Sequence, residues 1–120
     1  MKTQIKKSGD TIVVEVNGKL DYETQQPFKD DLSRLIQAAK KDSVPTQIIF
    51  NLEKLEFVGS SGISSFVQTL KDFNRRSPTK PRYCHVGSEF QKVIRAFDDN
   101  EEFDFYDTEE RARRKYSENN

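Results

Sequence analysis

An internal disulfide is excluded for this chain, because its 120 residues hold a single cysteine, Cys84. It lies in the apolar run Tyr83-Cys84-His85-Val86, where a cysteine behaves as a small buried hydrophobe. No cysteine and histidine spacing of a zinc site exists. Net charge is also missing: 20 basic and 20 acidic side chains cancel. That balance argues against a general binder of nucleic acid or acidic membranes, which would carry a clear positive excess. No apolar run approaches the roughly 20 residues that a membrane-spanning helix needs. The amino end, Met1-Lys2-Thr3-Gln4, leads straight into charged residues without the apolar segment of a signal peptide. The expectation is a cytoplasmic chain with no membrane insertion, no direct nucleic-acid contact and no cofactor.

Apolar residues make up 33% of the chain and charged residues another 33%. One economical core under a heavily charged surface follows, in a single domain over residues 1–120. A short strand over residues 3–6 turns at Gly9-Asp10 into a second strand over 11–16, Thr-Ile-Val-Val-Glu-Val, which Asn17-Gly18 ends. Phe28, Leu32, Leu35, Ile36 and Ala39 recur at helical spacing over 27–40, with Pro27 suited to a first turn. The run 47–52 lacks polar alternation at Ile48, Ile49 and Phe50, as a central strand covered on both faces would. A second helix is written over 61–74, with Ile63, Phe66, Val67, Leu70 and Phe73 on one face. A strand over 82–86, a short helix bearing Phe90, Val93, Ile94 and Phe97, a strand over 103–106 and a charged helix over 108–116 complete the order. Strands alternating with helices predict an α/β fold: a four- to five-stranded mixed sheet with crossover helices and an antiparallel start.

Chemistry is concentrated in the loop after the central strand. This loop runs from Asn51 to Gly62 and ends in Val58-Gly59-Ser60-Ser61-Gly62 before Ile63. Leu55, Phe57 and Val58 are expected to plug back into the core and pin it. Ser60 or Ser61 is then the N-cap of the second helix, its oxygen accepting from a first-turn N–H. Those N–H groups and the helix dipole also favour a phosphate, which adds nearly two negative charges without unfolding the helix. Taken alone, such a motif is more often ordinary capping than regulation.

A wider resemblance bears on that choice. The stretch from Asn51 through Ser60-Ser61-Gly62-Ile63 resembles the signature loop of the STAS domain family, the anti-sigma factor antagonists, in which an Asp-Ser-Ser/Thr-Gly-apolar motif opens a helix. Gly18-Lys19-Leu20-Asp21-Tyr22-Glu23-Thr24 is similar to the family's Gly-x-Leu-Asp-x-x-Thr turn, and the order of elements matches over nearly the whole chain. The resemblance implies a switch without catalytic activity of its own. Unmodified, it binds an anti-sigma factor that is also a serine kinase of the GHKL type; phosphorylation breaks the association and a serine phosphatase resets it. By position the phosphoacceptor is Ser60. The docking face comprises Gly59, Ser60, Ser61, Gly62 and the first turn of their helix with Ser64, and Asp21 lies beside it. One departure stands out: the family's aspartate before the acceptor serine is Gly59 here, which removes a carboxylate that a kinase would read. That departure keeps an alternative open, a scaffold or accessory subunit of a transport ATPase or sensory assembly with no phosphorylation cycle.

Other candidates have plainer readings. His85, the one histidine, is placed in a strand and reads as structural. Gly59-Ser60-Ser61-Gly62-Ile63 fails the Gly-x-Ser-x-Gly elbow of serine hydrolases because Ile63 stands where the last glycine belongs. No Gly-x-x-x-x-Gly-Lys-Ser/Thr loop is present. Asp98-Asp99-Asn100-Glu101-Glu102 lacks the alternating ligands and central glycine of a calcium loop and reads as a solvated helix-to-strand turn. Arg111, Arg113, Arg114 and Lys115 read as the solvated cationic end of a helix that starts with Glu109 and Glu110.

Overall fold

Alternating apolar residues set up the sheet. The computed structural model describes residues 1–21, 23–41, 44–57, 62–98 and 102–117, and their side chains except those of 40, 57 and 114–117. The elements run β1 (Lys2–Ser8), β2 (Thr11–Leu20), α1 (Gln25–Lys41), β3 (Gln47–Asn51), β4 (Leu55–Phe57), α2 (Ile63–Arg76), β5 (Arg82–Cys84), α3 (Ser88–Ala96), β6 (Phe105–Tyr106) and α4 (Glu109–Ser117). β1 and β2 form an antiparallel hairpin closed at Ser8 and Thr11, with Gly9 at a φ of 60° in the turn, a conformation that glycine adopts without steric cost. All other pairings are parallel, in the order β1-β2-β3-β5-β6, with β4 joined to β2 alone.

Because the strands joined by α1, α2 and α3 are added in one direction, right-handed crossovers put all three helices on the same face. The core shows this. Ile12, Val14, Val16, Ile48, Phe50 and Tyr83 meet Phe28, Leu32, Phe66, Leu70, Phe73, Phe90 and Ile94 in one cluster. Val13, Ile49 and Cys84 point the other way and pack with Ala112 of α4. The central strand is thus buried on both faces, as its unalternated run implies. Burial pushes the Cys84 thiol up to about 12, which keeps it neutral at physiological pH. Arg82 holds α4 in place: its Nη1 donates to the Ala112 carbonyl at 2.5 Å, and its guanidinium lies 5.6 Å from the Tyr106 ring centroid.

Several boundaries differ from those expected, each for a local reason. β1 is longer than 3–6, being paired residue for residue with β2. β2 does not stop at Asn17-Gly18: Gly18 takes a φ of 100° and the strand continues to Leu20 alongside β4, a strand that periodicity did not signal. β5 ends at Cys84 because His85 has a φ of 57°, so the histidine lies just past the strand rather than in it. β6 is shorter than 103–106, since the Asp98 carboxylate accepts from the Glu102 and Phe103 N–H groups at 2.8 and 3.4 Å and holds them in a turn.

Phe50 ties the layers together. Its ring stacks on Tyr83 at 5.0 Å and meets Phe73 edge-on at 5.2 Å, and it is fully buried. Phe50→Ala removes these contacts and leaves a cavity, so it should lower unfolding free energy by about 3–5 kcal/mol. Chemical denaturation measures this directly; a loss under about 1 kcal/mol would show that the surrounding rings collapse into the space.

Candidate functional site

The turn of β2 at Gly18 brings the two suggestive stretches of sequence together. The Gly18 N–H donates to the Lys54 carbonyl at 3.0 Å, and the register that follows sets Lys19 against Glu56 and Leu20 against Phe57. Asp21 therefore leaves the sheet beside the end of β4. Its carboxylate then closes a tight turn, accepting from the Thr24 N–H at 3.0 Å and the Thr24 hydroxyl at 2.9 Å. The Thr24 carbonyl accepts from the Phe28 N–H at 3.2 Å and so opens α1. Pro27, which has no N–H to satisfy, sits in that first turn. The Thr24 hydroxyl first, and then its backbone N–H, hold the Asp21 carboxyl below its ordinary 3.8.

α2 begins at Gly62. A φ of 89° and ψ of −14° put this residue in the left-handed region, and among the described residues no side chain caps the helix. The expectation that Ser60 or Ser61 is the N-cap is corrected: the cap position is Gly62, because glycine alone takes that backbone geometry without strain, and the helix covers Ile63–Arg76 rather than 61–74. The first turn carries no acidic residue. The N–H groups of a first helical turn have no partner within the helix and carry the positive end of its dipole. Ser64 is exposed on this turn. Gly59, Ser60 and Ser61 lie outside the described residues, as does Val58. Leu55, expected to anchor the loop, is buried.

A residue that the pattern did not single out connects the two turns. Gln25, 4% exposed, donates through Nε2 to the Asp21 carbonyl at 3.2 Å and to the Gly62 carbonyl at 3.4 Å. Asp21 and Gly62 are thereby joined through one side chain, with Ser64 two residues along the helix. Its place directly after the Thr24 of the upstream motif was the available signal. A polar residue in a first helical turn otherwise reads as solvated.

The remaining candidates keep their plainer readings. His85 Nε2 is 3.9 Å from the Glu53 carboxylate, on the rim of an open groove of about 490 Å³ floored by Leu52, Leu55, Val86 and Phe90. Asp98 is a backbone cap of the helix-to-strand turn, while Asp99, Asn100 and Glu101 lie outside the described residues. Arg111 pairs with Asp107 at 3.0 Å and Arg113 with Glu109 at 3.5 Å along α4; the side chains of Arg114 and Lys115 are outside those described. Among the described residues no cluster of acidic, histidine or cysteine side chains is arranged to hold a metal. None of their helices is long and apolar enough to cross a membrane.

The mixed sheet, its crossover helices and the two converging turns define an α/β domain. The STAS domain profile matches residues 2–112, and the chain belongs to that family. No curated protein matches it by sequence. Solved structures are similar over almost the whole chain. RsbS of Moorella thermoacetica, in a serine-to-glutamate form, has a TM-score of 0.72 at 15% identity, covering 98% of this chain and 97% of that one. The anti-sigma factor antagonist SpoIIAA of Bacillus, unphosphorylated, has 0.65 at 20%, covering 98% and 97%. The murine anion transporter Slc26a9 has 0.68 at 12%, covering 94% of this chain but 18% of that one. At these identities the likeness is one of fold.

The Asp21 turn has a measurable signature. Its carboxyl carbon should titrate with a midpoint below 3.8, and Thr24→Val should raise that midpoint toward the ordinary value. The folded-state value is the depressed one. The turn's contribution to stability is therefore complete above the unfolded value and disappears as pH falls through the folded one. An unchanged midpoint in Thr24→Val, followed by carbon NMR, would remove the hydroxyl as the cause.

Proposed function

We propose that this chain is an anti-sigma factor antagonist-like regulatory module of the cytoplasm, without catalytic activity. It docks on a GHKL-type serine kinase that doubles as an anti-sigma factor, and phosphorylation at Ser60, reversed by a serine phosphatase, switches it off. The observation that carries the reading is the joining of the Asp21 turn to the start of α2 through Gln25. Two short sequence motifs, each unremarkable alone, thereby share one end of the domain. The docking face consists of Asp21, Gly59, Ser60, Ser61, Gly62 and Ser64. The start of α2 supports the choice of Ser60. Its first turn offers backbone N–H groups with, among the described residues, no capping side chain and no acidic residue, a setting that favours an anion. A phosphate there alters the charge of the face while the core beneath, with Phe66, Val67 and Leu70 buried, is untouched. The antagonist SpoIIAA, similar in fold, is known in unphosphorylated and phosphorylated forms, which agrees with this reading.

Gly59 supports a second reading. Without the aspartate that precedes the acceptor in the family motif, the domain serves as a scaffold or as an accessory to a transport ATPase or sensory assembly, with no phosphate cycle. The fold likeness to part of an anion transporter is in keeping with it. An adjacent kinase and phosphatase in the gene neighbourhood favours the switch, and an adjacent ABC transporter favours the accessory.

Two measurements test the switch. Intact-mass analysis after incubation with the cognate kinase and ATP should show one added phosphate, lost in Ser60→Ala and kept in Ser61→Ala; an adduct that persists in Ser60→Ala refutes the assignment. Ser60→Asp should weaken binding of the partner with little change in Tm. Equal affinity of wild type and variant rejects the proposed face.

A further inference from the structure

The side chain of Gln25 is fully committed on one end and empty on the other. Both N–H bonds of its amide are spent, one on the Asp21 carbonyl four residues before it and one on the Gly62 carbonyl 37 residues after it. The reverse orientation would set Oε1 against two carbonyl oxygens, acceptor facing acceptors, so these contacts fix which end of the amide is which. The consequence is that Oε1 is buried with no donor among the described residues. A buried acceptor left in that state carries its desolvation penalty without compensation. A methionine of similar length would avoid the cost, so packing alone does not explain a glutamine here. The Gly62 carbonyl already accepts the first hydrogen bond of α2, from the Phe66 N–H at 2.9 Å. Gln25 holds that carbonyl from its other side, and it stands in the first turn of α1 directly after the Thr24 that Asp21 caps.

We infer that Gln25 is a positioning residue that couples the Asp21 turn to the start of α2, so that a shift in either is carried to the other. The inference deepens the docking reading and takes its purpose from it, since it names the side chain that makes two halves of that face move as one. A change at Gly62 reorients its carbonyl. The amide must then follow or give up the bond, and following pulls on the Asp21 carbonyl.

Amide NMR of the full chain, with no partner and no phosphate, reads this coupling. Gly62→Ala forces a side chain onto a φ of 89° and should displace the resonances of Asp21, Glu23, Thr24 and Gln26. In a Gln25→Met background the same substitution should displace them about one third as much or less, as a double-mutant cycle of coupled sites requires. Equal displacement in the two backgrounds, or none in either, overturns the inference. Should Gly62→Ala fail to fold, Gly62→Asn replaces it, because asparagine tolerates the left-handed region. A glutamine that only fills space would alter Tm without altering transmission. Docking and phosphorylation are absent from the measurement, so the switch can fail while the coupling stands, and the reverse.

Discussion

The meeting of the Asp21 turn with the start of α2 depends on the parallel pairing of the last residues of β2 with β4. Besides its antiparallel partner β1, the ten-residue strand β2 has one parallel partner along its first half and another along its end. Thr11 to Glu15 run beside β3, and Gly18 to Leu20 beside β4. The change of partner requires a bend, and Gly18 supplies it at a φ of 100°. A Cβ there would stand 3.4 Å from the Met1 Cα in addition to the backbone strain. Without the bend, the Asp21 turn would continue along β3 and leave the start of α2 without its neighbour.

The strand order has a second consequence. Because β2, β3, β5 and β6 are added in one direction, there is no reversal of order and hence no crevice of the kind that holds dinucleotides in doubly wound folds. The carboxyl ends of the parallel strands instead form an edge along which α1, α2 and α3 all start. Each start is finished differently. Asp21 and Thr24 close that of α1, Glu89 stands in the first turn of α3, and at α2 the cap residue is Gly62, with no acidic residue in the first turn. Among the described residues the start of α2 is thus the one of the three with neither a side-chain cap nor an acid, an asymmetry that a net charge of zero cannot express.

Element type was legible where burial produces a period. Ile12, Val14 and Val16 alternate as a strand with a buried face, and Phe66, Leu70 and Phe73 recur as a helix; both hold in the structure. The uninterrupted Ile48-Ile49-Phe50 indicated cover on both sides, which α4 and the three crossover helices supply. What escaped was set by backbone conformation or by long-range pairing. A three-residue strand such as β4 is too short to show a period. The left-handed residues Gly18, Gly62 and His85 moved the ends of β2, α2 and β5. Serine at a helix start is a capping signal, but a glycine at the following position competes for the cap, and at α2 the glycine prevails. Asp21 was legible through its motif. Gln25 was not, because its meaning lies in a partner 37 residues away.

The division of labour between core and edge explains why such a domain suits regulation. The aromatic cluster of Phe50, Tyr83, Phe73 and Phe103 fixes the sheet to its helices, and none of these rings belongs to the proposed docking face. The face is built instead from turns, held by hydrogen bonds to Asp21, Thr24 and Gln25 that each contribute on the order of 1 kcal/mol. A charge added there competes with interactions of its own size and leaves the much larger burial energy of the core alone. Binding can therefore change by orders of magnitude while the fold stays put, since each 1.4 kcal/mol at an interface is about tenfold in affinity. The orphaned Gln25 oxygen fits the same division: the stability lost at the edge is small beside that of the core, and what it secures is the relative placement of two turns.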